Sequence, residues 1–291
     1  MPVTNLSRPF AAPANAVLWR YMSLSKLILL LRGEFYLSPI SDFEDALDGM
    51  APDDLSDAQE QAFDLVFQSI KKPEYVTDIA RERRQLDRSR TQREHASLIR
   101  SLIQDVDERR RSVGGAEMFR RGIAASCWHR KSNEAIPMWE IYAGRDAGIA
   151  IKSSVARLTR ALSITDVNLE MGKVLYDYEK RGSAGAEELL RAYPYFPALL
   201  KGEPFEYEAE VRVLESSGLW TSTEPTPVTV QCLPEVLIEE VVISPFVPQH
   251  VGDAIDTVVH ALSAVDVVPS DLSGHYPKAW KPRYRWHGST T

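Results

Sequence analysis

The apolar and polar residues near the start of the chain predict a strand, a helix and a second strand. Residues 17–21 and 34–38 are short segments rich in aliphatic and aromatic side chains, which is typical of strands. Between them, residues 24–31 carry apolar side chains densely enough for a helix that is buried on most sides. Gly33 follows in the position where a glycine commonly ends a helix.

The same order of elements returns in the second half of the chain, with a strand at 122–129, a helix around 138–142 and a strand at 148–152. Further strands are predicted at 172–178, 206–214, 228–233, 238–244 and 265–268, and further helices at 153–162, 184–201 and 251–263. This pattern predicts an α+β fold with a mixed or antiparallel split sheet and flanking helices.

A charged segment with helical periodicity separates the two parts. Its apolar positions, spaced three or four residues apart, are Phe63, Val66, Phe67, Ile70, Leu98, Leu102 and Val106, with Ile99 and Ile103 beside them. We therefore predict one domain with a body at 14–52 and 113–270, a helical insertion at 53–112 and a tail at 271–291. The arginines of residues 81–93 favour a solvated helix face over a nucleic-acid surface.

The tail interleaves aromatic and cationic side chains between Tyr276 and His287. Such interleaving suits stacking on single-stranded bases. Pro277 and Pro282 also suit an extended arm that its tryptophans pin to the domain, and we favour this docked arm.

Composition and charge argue against several classes of protein. The 291 residues carry a net charge of −7, which argues against broad nonspecific binding to nucleic acid or anionic membranes. The chain's two cysteines, Cys127 and Cys232, are far apart and lack metal-ligand spacing, so no metal is expected. The first residues do not resemble a signal peptide, and no apolar run is long enough to span a membrane. We expect a cytoplasmic protein.

Two acidic segments are candidates for chemistry. Residues 41–49 carry four carboxylates, for which a solvated or capping turn is favoured over a metal-binding loop. Glu206, Glu208 and Glu210 alternate with apolar residues, so a strand would place all three on one face. Like charges at that spacing indicate either a solvated edge strand, with Arg212 paired to an acid, or a catalytic carboxylate pair in a cleft.

Several segments together resemble a widespread bacterial family catalogued as "domain of unknown function 2971", over about residues 17 to 245. The matching segments are Leu18-Trp19-Arg20-Tyr21, Phe35-Tyr36-Leu37-Ser38-Pro39, Phe43-Glu44-Asp45, Met138-Trp139-x-x-Tyr142-Ala143 with Gly148-x-x-Ile151, and Glu208-x-Glu210-x-Arg212. The chain departs from the family pattern at Glu44, where the family has Asn, at Ser126-Cys127-Trp128, where the second Ser of a Ser-Phe-Ser-like strand is missing, and at Phe205, which is often Trp.

A second resemblance is to the ADP-ribosyltransferase superfamily. Its ordered pattern is a polar residue on the first strand, a Gly turn, a central Ser and a late Glu-x-Glu, and this chain has Arg20, Gly33, Ser126 and Glu208-Ala209-Glu210 in that order. The resemblance implies an ADP-ribosyltransferase-like fold and an enzyme that cleaves NAD as its substrate.

The resemblance also implies roles. Glu210 would stabilise an oxocarbenium-like ribose and bind its hydroxyl, and Glu208 would orient or deprotonate the acceptor. The residues expected to bind NAD are Arg20 at the pyrophosphate, Ser126 against Glu210 or the ribose, Tyr36 or Tyr142 stacked on the nicotinamide, and Tyr21 on the strand of Arg20.

The cellular role follows from resemblance alone. Such bacterial enzymes commonly act as toxins or phage-defence effectors, which implies a protein or nucleic-acid acceptor and an antitoxin or immunity partner. Two alternatives stay open. One is a non-catalytic binding or sensor module for a nucleotide or peptide. The other is a metal-dependent nuclease that uses Asp42, Glu44 and Asp45 with the basic insertion.

Overall fold

The computed structural model describes residues 3–49, 72–74, 76–77, 80–81, 90–113, 115–144, 146–176, 196–216, 224–225 and 227–282. The predicted helix positions from Phe63 to Ile70, most of the predicted helix 184–201 and the tail beyond Pro282 lie outside these residues. The statements below refer to the described parts of the chain.

The described strands form one mixed sheet. They are β1 Val3–Asn5, β2 Val17–Ser23, β3 Glu34–Pro39, β4 Ala124–His129, β5 Gly148–Ser154, β6 Leu169–Lys173, β7 Glu210–Glu215, β8 Val228–Gln231, β9 Glu240–Ile243 and β10 Val267–Pro269. Their order is β1-β6-β7-β4-β2-β5-β9-β10, and β3 pairs with both β4 and β8. The pairs β1–β6 and β9–β10 are parallel and the other pairs are antiparallel. The predicted α+β class is confirmed.

The sheet divides at β4. One edge of β4 pairs along its length with β7. The other edge is shared, because β2 pairs with its end at Trp19–His129 and β3 pairs with its start at Ser38–Ala125. Strands β2 and β3 therefore diverge from the same neighbour, as a split sheet requires.

The five longer helices in the described parts of the chain are α1 Leu24–Leu31, α2 Gln92–Val113, α3 Gly115–Gly122, α4 Val155–Ala161 and α5 Gln249–Leu262. Apolar side chains of α1, α4 and α5 pack in the main core against β2, β4, β5 and β7. A second cluster, which includes Phe119, Leu199 and Leu214, packs on the opposite face of the sheet. No helix among the described residues is long and apolar enough to cross a membrane.

The first predicted unit, which is a strand, a helix and a second strand, agrees closely with the structure. Helix α1 has the predicted bounds, Leu24–Leu31, and Gly33 follows it with φ 86°, a left-handed conformation that favours glycine. The predicted helix around Met138 is instead a short turn at Ile136–Met138 followed by a π-helical turn at Trp139–Ala143.

The described part of the insertion is helical. Helix α2 begins with a capping box, in which the Thr91 N–H donates to Glu94 Oε2 at 2.6 Å and the Glu94 N–H donates to Thr91 Oγ1 at 3.3 Å. Ile99 is buried against Val76 and Ala80, whereas Leu98 is 37% exposed. The buried face therefore runs through Ile99, one residue beyond the predicted position.

The described part of the tail is docked by one tryptophan. Trp280 is buried, its Nε1 donates to Asp253 Oδ1 at 3.1 Å, and its backbone N–H donates to the Val247 carbonyl at 2.9 Å. Its ring lies on Gly252 of α5, where a Cβ would meet Trp280 Cγ at 2.1 Å. This contact supports the docked arm for the residues up to Trp280.

Replacing Gly252 with alanine is expected to lower the free energy of unfolding by about 1–3 kcal/mol, because the new methyl group must displace the Trp280 ring. This loss is expected to exceed the helix propensity gained, which is about 1 kcal/mol. Urea unfolding measures it. Gly274→Ala is the matched control, since a Cβ there meets nothing within 4 Å. Equal stabilities of the two variants would contradict the close approach.

Candidate functional site

The acidic segment folds differently from the predicted strand. Residues Glu203–Glu208 form a 3₁₀ turn, and Ala209 is left-handed with φ 44°. Strand β7 begins only at Glu210, lies between β6 and β4 and is buried along its whole length, so the alternative of a solvated edge strand is wrong. Glu206 is exposed, whereas the side chains of Glu208 and Glu210 are buried. These two carboxyl groups therefore meet through the turn at Ala209 and not through strand alternation.

Arg212 is the centre of a buried charge network. Its Nε donates to Glu210 Oε2 at 2.6 Å and its Nη2 to Glu210 Oε1 at 3.2 Å. On the other side, Nη1 and Nη2 donate to the two carboxylate oxygens of Asp48 at 2.6 and 2.7 Å. A further bond from Nη1 reaches the Ala198 carbonyl at 2.8 Å. The Arg212 side chain is fully buried, and two carboxylates compensate its charge.

Lys201 completes the network. Its Nζ donates to Glu208 Oε2, and to Glu210 Oε1 at 3.1 Å, and lies 3.7 Å from Asp48 Oδ2. We call the following five residues the buried charge network: Asp48, Lys201, Glu208, Glu210 and Arg212. They supply three carboxyl groups and two cations.

The two glutamates of the network have opposite pKa shifts. Burial, together with the neighbouring Glu210 carboxylate, raises the pKa of Glu208 to about 7, against the favourable contacts with Lys201 and Tyr142. Burial also disfavours the charge on Glu210, but Arg212 and the hydrogen bonds to its carboxylate outweigh this and hold its pKa well below the usual range. A carboxyl that titrates near neutrality thus contacts one that stays ionised.

Two exposed tyrosines lie at Glu208. The Tyr142 hydroxyl donates to Glu208 Oε1 at 2.7 Å, and the Tyr207 hydroxyl interacts with the same carboxyl group. Both side chains are 45% exposed, and Ile141 beside Tyr142 is 53% exposed. Tyr142 belongs to the π-helical turn, a distortion that is frequent at functional sites. The buried Glu208 carboxyl is therefore covered by aromatic side chains that are themselves exposed to solvent.

The sheet contributes a thiol and an imidazole to the same face. Cys127 and His129 lie directly opposite Arg212 and Glu210 in the β4–β7 ladder. His129 Nδ1 is 2.5 Å from the Glu208 carbonyl oxygen, which only accepts, so Nδ1 carries the proton. Burial lowers the pKa of His129, which favours the neutral ring, and Nε2 has no hydrogen-bond partner among the described residues.

The register separates the predicted NAD-binding residues. Trp19 pairs with His129, so Trp19 lies on the face of Glu210, and its neighbour Arg20 lies on the opposite face. Ser126 pairs with Val213 and also lies on that opposite face. The predicted single cleft lined by Arg20, Ser126 and Glu210 is therefore not formed by one face of the sheet, because side chains alternate along the paired strands.

Arg20 and Ser126 have their own surroundings on that second face. The Arg20 guanidinium lies over the rings of Phe35 and Trp128, at 5.4 and 5.6 Å, and Nη2 donates to the Tyr36 carbonyl at 3.1 Å. Burial lowers the pKa of Arg20 to about 10, and among the described residues no carboxylate pairs with it. The buried Ser126 hydroxyl accepts from Trp128 Nε1 at 3.2 Å.

The remaining predicted tyrosines occupy different positions. Tyr21 is buried, its hydroxyl accepts from the Ala135 N–H at 3.2 Å, and its ring packs edge-on against Trp139 with centroids 4.9 Å apart. Tyr36 is half-buried on β3, opposite Thr229 of β8. Of the predicted aromatic residues, Tyr142 is the one bonded directly to an acid of the network.

Three residues of this site are not among the site residues that the sequence predicts. The sequence favours a solvated or capping turn for Asp48, although this residue is buried against Arg212. It predicts Lys201 only as the end of a helix, and Tyr207 only as an apolar position between acids. A signal existed for Tyr207, because it stands between Glu206 and Glu208, but only the fold brings residues 48 and 201 to this point.

Among the described residues, no group of three or more His, Cys, Asp or Glu side chains is arranged to hold a metal ion. The carboxylates suggested for a nuclease include Asp45, whose Oδ1 instead accepts from the Leu47 N–H at 2.9 Å. Comparison of the chain with protein-family models, with curated proteins and with solved structures found no match.

Proposed function

We propose that the protein is an ADP-ribosyltransferase-like enzyme that cleaves the nicotinamide–ribose bond of NAD and uses Glu208 as its acid–base group. The observation that carries the proposal is the pair of contacting carboxyl groups with opposite pKa shifts, Glu208 near 7 and Glu210 far below its usual range. Enzymes that act on glycosidic bonds use such pairs, in which one carboxyl exchanges a proton and the other keeps its charge.

The reaction assigns a proton to Glu208. The bond between ribose C1′ and the nicotinamide nitrogen breaks, its electron pair leaves with the nitrogen, and neutral nicotinamide departs. The acceptor's oxygen or nitrogen then bonds to C1′, and the ionised Glu208 carboxylate takes the acceptor's proton. A carboxyl with a pKa near 7 suits this step, because a useful fraction is ionised at neutral pH while it still binds the released proton.

Glu210 has a different role from the one expected from resemblance. Both of its oxygens already accept from Arg212, and Oε1 also accepts from Lys201. A ribose hydroxyl at Glu210 would have to displace bonds from a fully buried guanidinium, whereas at Glu208 it would displace the hydroxyl of the exposed Tyr142. We therefore assign contact with the ribose to Glu208 and a fixed electrostatic role to Glu210. Its permanent charge favours the positive ribosyl centre and the protonated form of Glu208.

The exposed aromatic side chains supply surfaces for the planar parts of the substrate. Tyr142 and Tyr207 present their rings beside the Glu208 carboxyl, and stacking on either would hold the nicotinamide near the acid. An ADP-ribosyltransferase-like arrangement of the split sheet and a cytoplasmic location are parts of this proposal. The protein or nucleic-acid acceptor, the role as toxin or phage-defence effector, and an antitoxin or immunity partner rest on the resemblance alone.

The test is nicotinamide release from NAD by the purified protein, measured by chromatography from about pH 5 to 9. We expect the rate to rise with pH with an apparent pKa of about 7, because the base must be ionised and burial raises the pKa of Glu208. A rate that is flat through neutrality would remove Glu208 from the acid–base role. Absence of release at every pH, with and without a bacterial lysate as acceptor, would overturn the proposal.

A binding or sensor module is the second candidate, and Arg20 favours it. Its guanidinium has no carboxylate partner among the described residues and lies on the face away from the acids, so it could bind an anion without any chemistry at Glu208. Calorimetric binding of NAD that disappears in Arg20→Gln, with no nicotinamide released by either protein, would support this module.

A further inference from the structure

Asp48 is held in place from both its side chain and its backbone. Its side chain is fully buried and its two oxygens accept from Nη1 and Nη2 of Arg212 at 2.6 and 2.7 Å. Its carbonyl accepts from Arg120 Nε at 2.9 Å, and Arg120 Nη2 also donates to the Asp45 carbonyl at 3.4 Å. Helix α3 therefore fixes the loop that delivers this carboxylate into the buried charge network.

Asp48 changes the charge balance of the network. Without it, Lys201 and Arg212 would match the two glutamates one for one. With it, three carboxyl groups face two cations among the described residues, so full ionisation of these five groups would leave one uncompensated negative charge in a buried site. An uncompensated buried charge is unfavourable, and the network relieves it by binding one proton.

The contacts indicate which carboxyl group takes that proton. Asp48 and Glu210 each accept two hydrogen bonds from Arg212, which is always protonated. Glu208 has no bond from Arg212, and it is the carboxyl in contact with the exposed Tyr142 and Tyr207. The groups that face it are Lys201, Glu210, Tyr142 and Tyr207, with the neutral His129 ring bonded to its carbonyl.

We propose that Asp48 is a positioning residue that keeps a proton on Glu208 by occupying half of the Arg212 guanidinium. The carboxylate of Asp48 takes up positive charge that would otherwise stabilise the two glutamates. Glu208 is thereby kept as the titrating member of the network. The value of this proton for catalysis rests on the proposed function, whereas the charge balance itself does not.

The experiment titrates Glu208 in the resting protein. Glutamate labelled with ¹³C at the side-chain carboxyl is followed by NMR across pH, and Glu208→Gln identifies the resonance of residue 208. In Asp48→Asn we expect the acid dissociation constant of Glu208 to increase tenfold or more, because two cations then face two carboxylates. Asp48→Glu keeps the charge and is expected to restore the wild-type titration. Glu44→Gln, an exposed change in the same loop, is expected to leave it unchanged.

Two outcomes would overturn the proposal. One is an unchanged Glu208 titration in folded Asp48→Asn. The other is measured in Lys201→Met, the variant in which Glu208 is titrated if Asp48→Asn does not fold. Removing this cation is expected to hold the proton on Glu208 to higher pH, and a Glu208 that instead ionises more easily would contradict the charge balance. Since neither measurement uses NAD, failure of the titration and failure of nicotinamide release are distinguished.

Discussion

Replacing Arg212 with methionine is expected to lower the free energy of unfolding by about 3–5 kcal/mol, one of the largest losses of stability from a single change in this protein. Methionine fills much of the volume but supplies no donors. It would leave Asp48 and Glu210, both buried, without the guanidinium that now gives each of them two hydrogen bonds. Part of the loss is the unfavourable burial of carboxylates left with Lys201 as their remaining cation.

Urea unfolding followed by circular dichroism measures the loss. Arg121→Met is the matched control, because Arg121 forms an ion pair of similar length, 2.7 Å to Glu117, with a side chain that is 31% exposed. Exposed pairs contribute about 0–1 kcal/mol, so the control is expected to unfold near the wild-type midpoint. A loss for Arg212→Met no larger than that of the control would contradict the buried charge network.

Replacing Glu208 with glutamine is expected to reduce the rate of nicotinamide release by about 10²- to 10⁴-fold, the usual contribution of a general acid–base group. Glutamine has nearly the same shape and keeps a partner for the hydroxyl of Tyr142, but it cannot take a proton from the acceptor. Since Glu208 already holds a proton below about pH 7, the neutral amide is expected to leave the fold intact.

Initial rates at saturating NAD measure this effect, with circular dichroism to confirm folding. Glu206→Gln is the matched control, since Glu206 lies in the same 3₁₀ turn and is exposed. It is expected to keep the wild-type rate. If the Glu208 variant kept its rate while Glu210→Gln lost it, Glu208 would have no acid–base role, and the carboxylate needed for release would be Glu210, to which the resemblance assigned the ribosyl centre.

The local parts of the fold were predictable from sequence. The unit β2-α1-β3 follows from short-range signals, namely aromatic and aliphatic strand residues, a dense apolar helix and Gly33 at its end. The described part of α2 likewise begins at a capping box formed by neighbouring residues. Such elements need no knowledge of the rest of the chain.

The acidic segment shows where the local signal misled. Alternation of Glu206, Glu208 and Glu210 predicted one strand, but Glu203–Glu208 is a turn that has Pro204 near its start and is followed by the left-handed Ala209. Glu208 and Glu210 still come together, but the turn at Ala209 brings them together and not the alternation of side chains along a strand. A proline ahead of an acidic run was the available signal for a turn.

The rest of the site depends on pairings distant in sequence. Asp48 and Arg212 are 164 positions apart, and the face on which Arg20 lies follows from one register contact, Trp19 opposite His129. A shift of one residue in a register moves every side chain of a strand to the other face. The resemblance gave an order of residues along the chain, and that order does not show which of these residues lie on the same face of the sheet.

The buried charge network also has a consequence for the order of folding events. Asp48 comes from the loop before the insertion and the other members from residues 201–212, so the network closes only after these two distant parts of the chain have met. Before closure each charge is better solvated by water, and a partly closed network would be less favourable than none. We therefore expect its contacts to be absent from the folding transition state, so that they govern how long the native protein survives more than how quickly it forms.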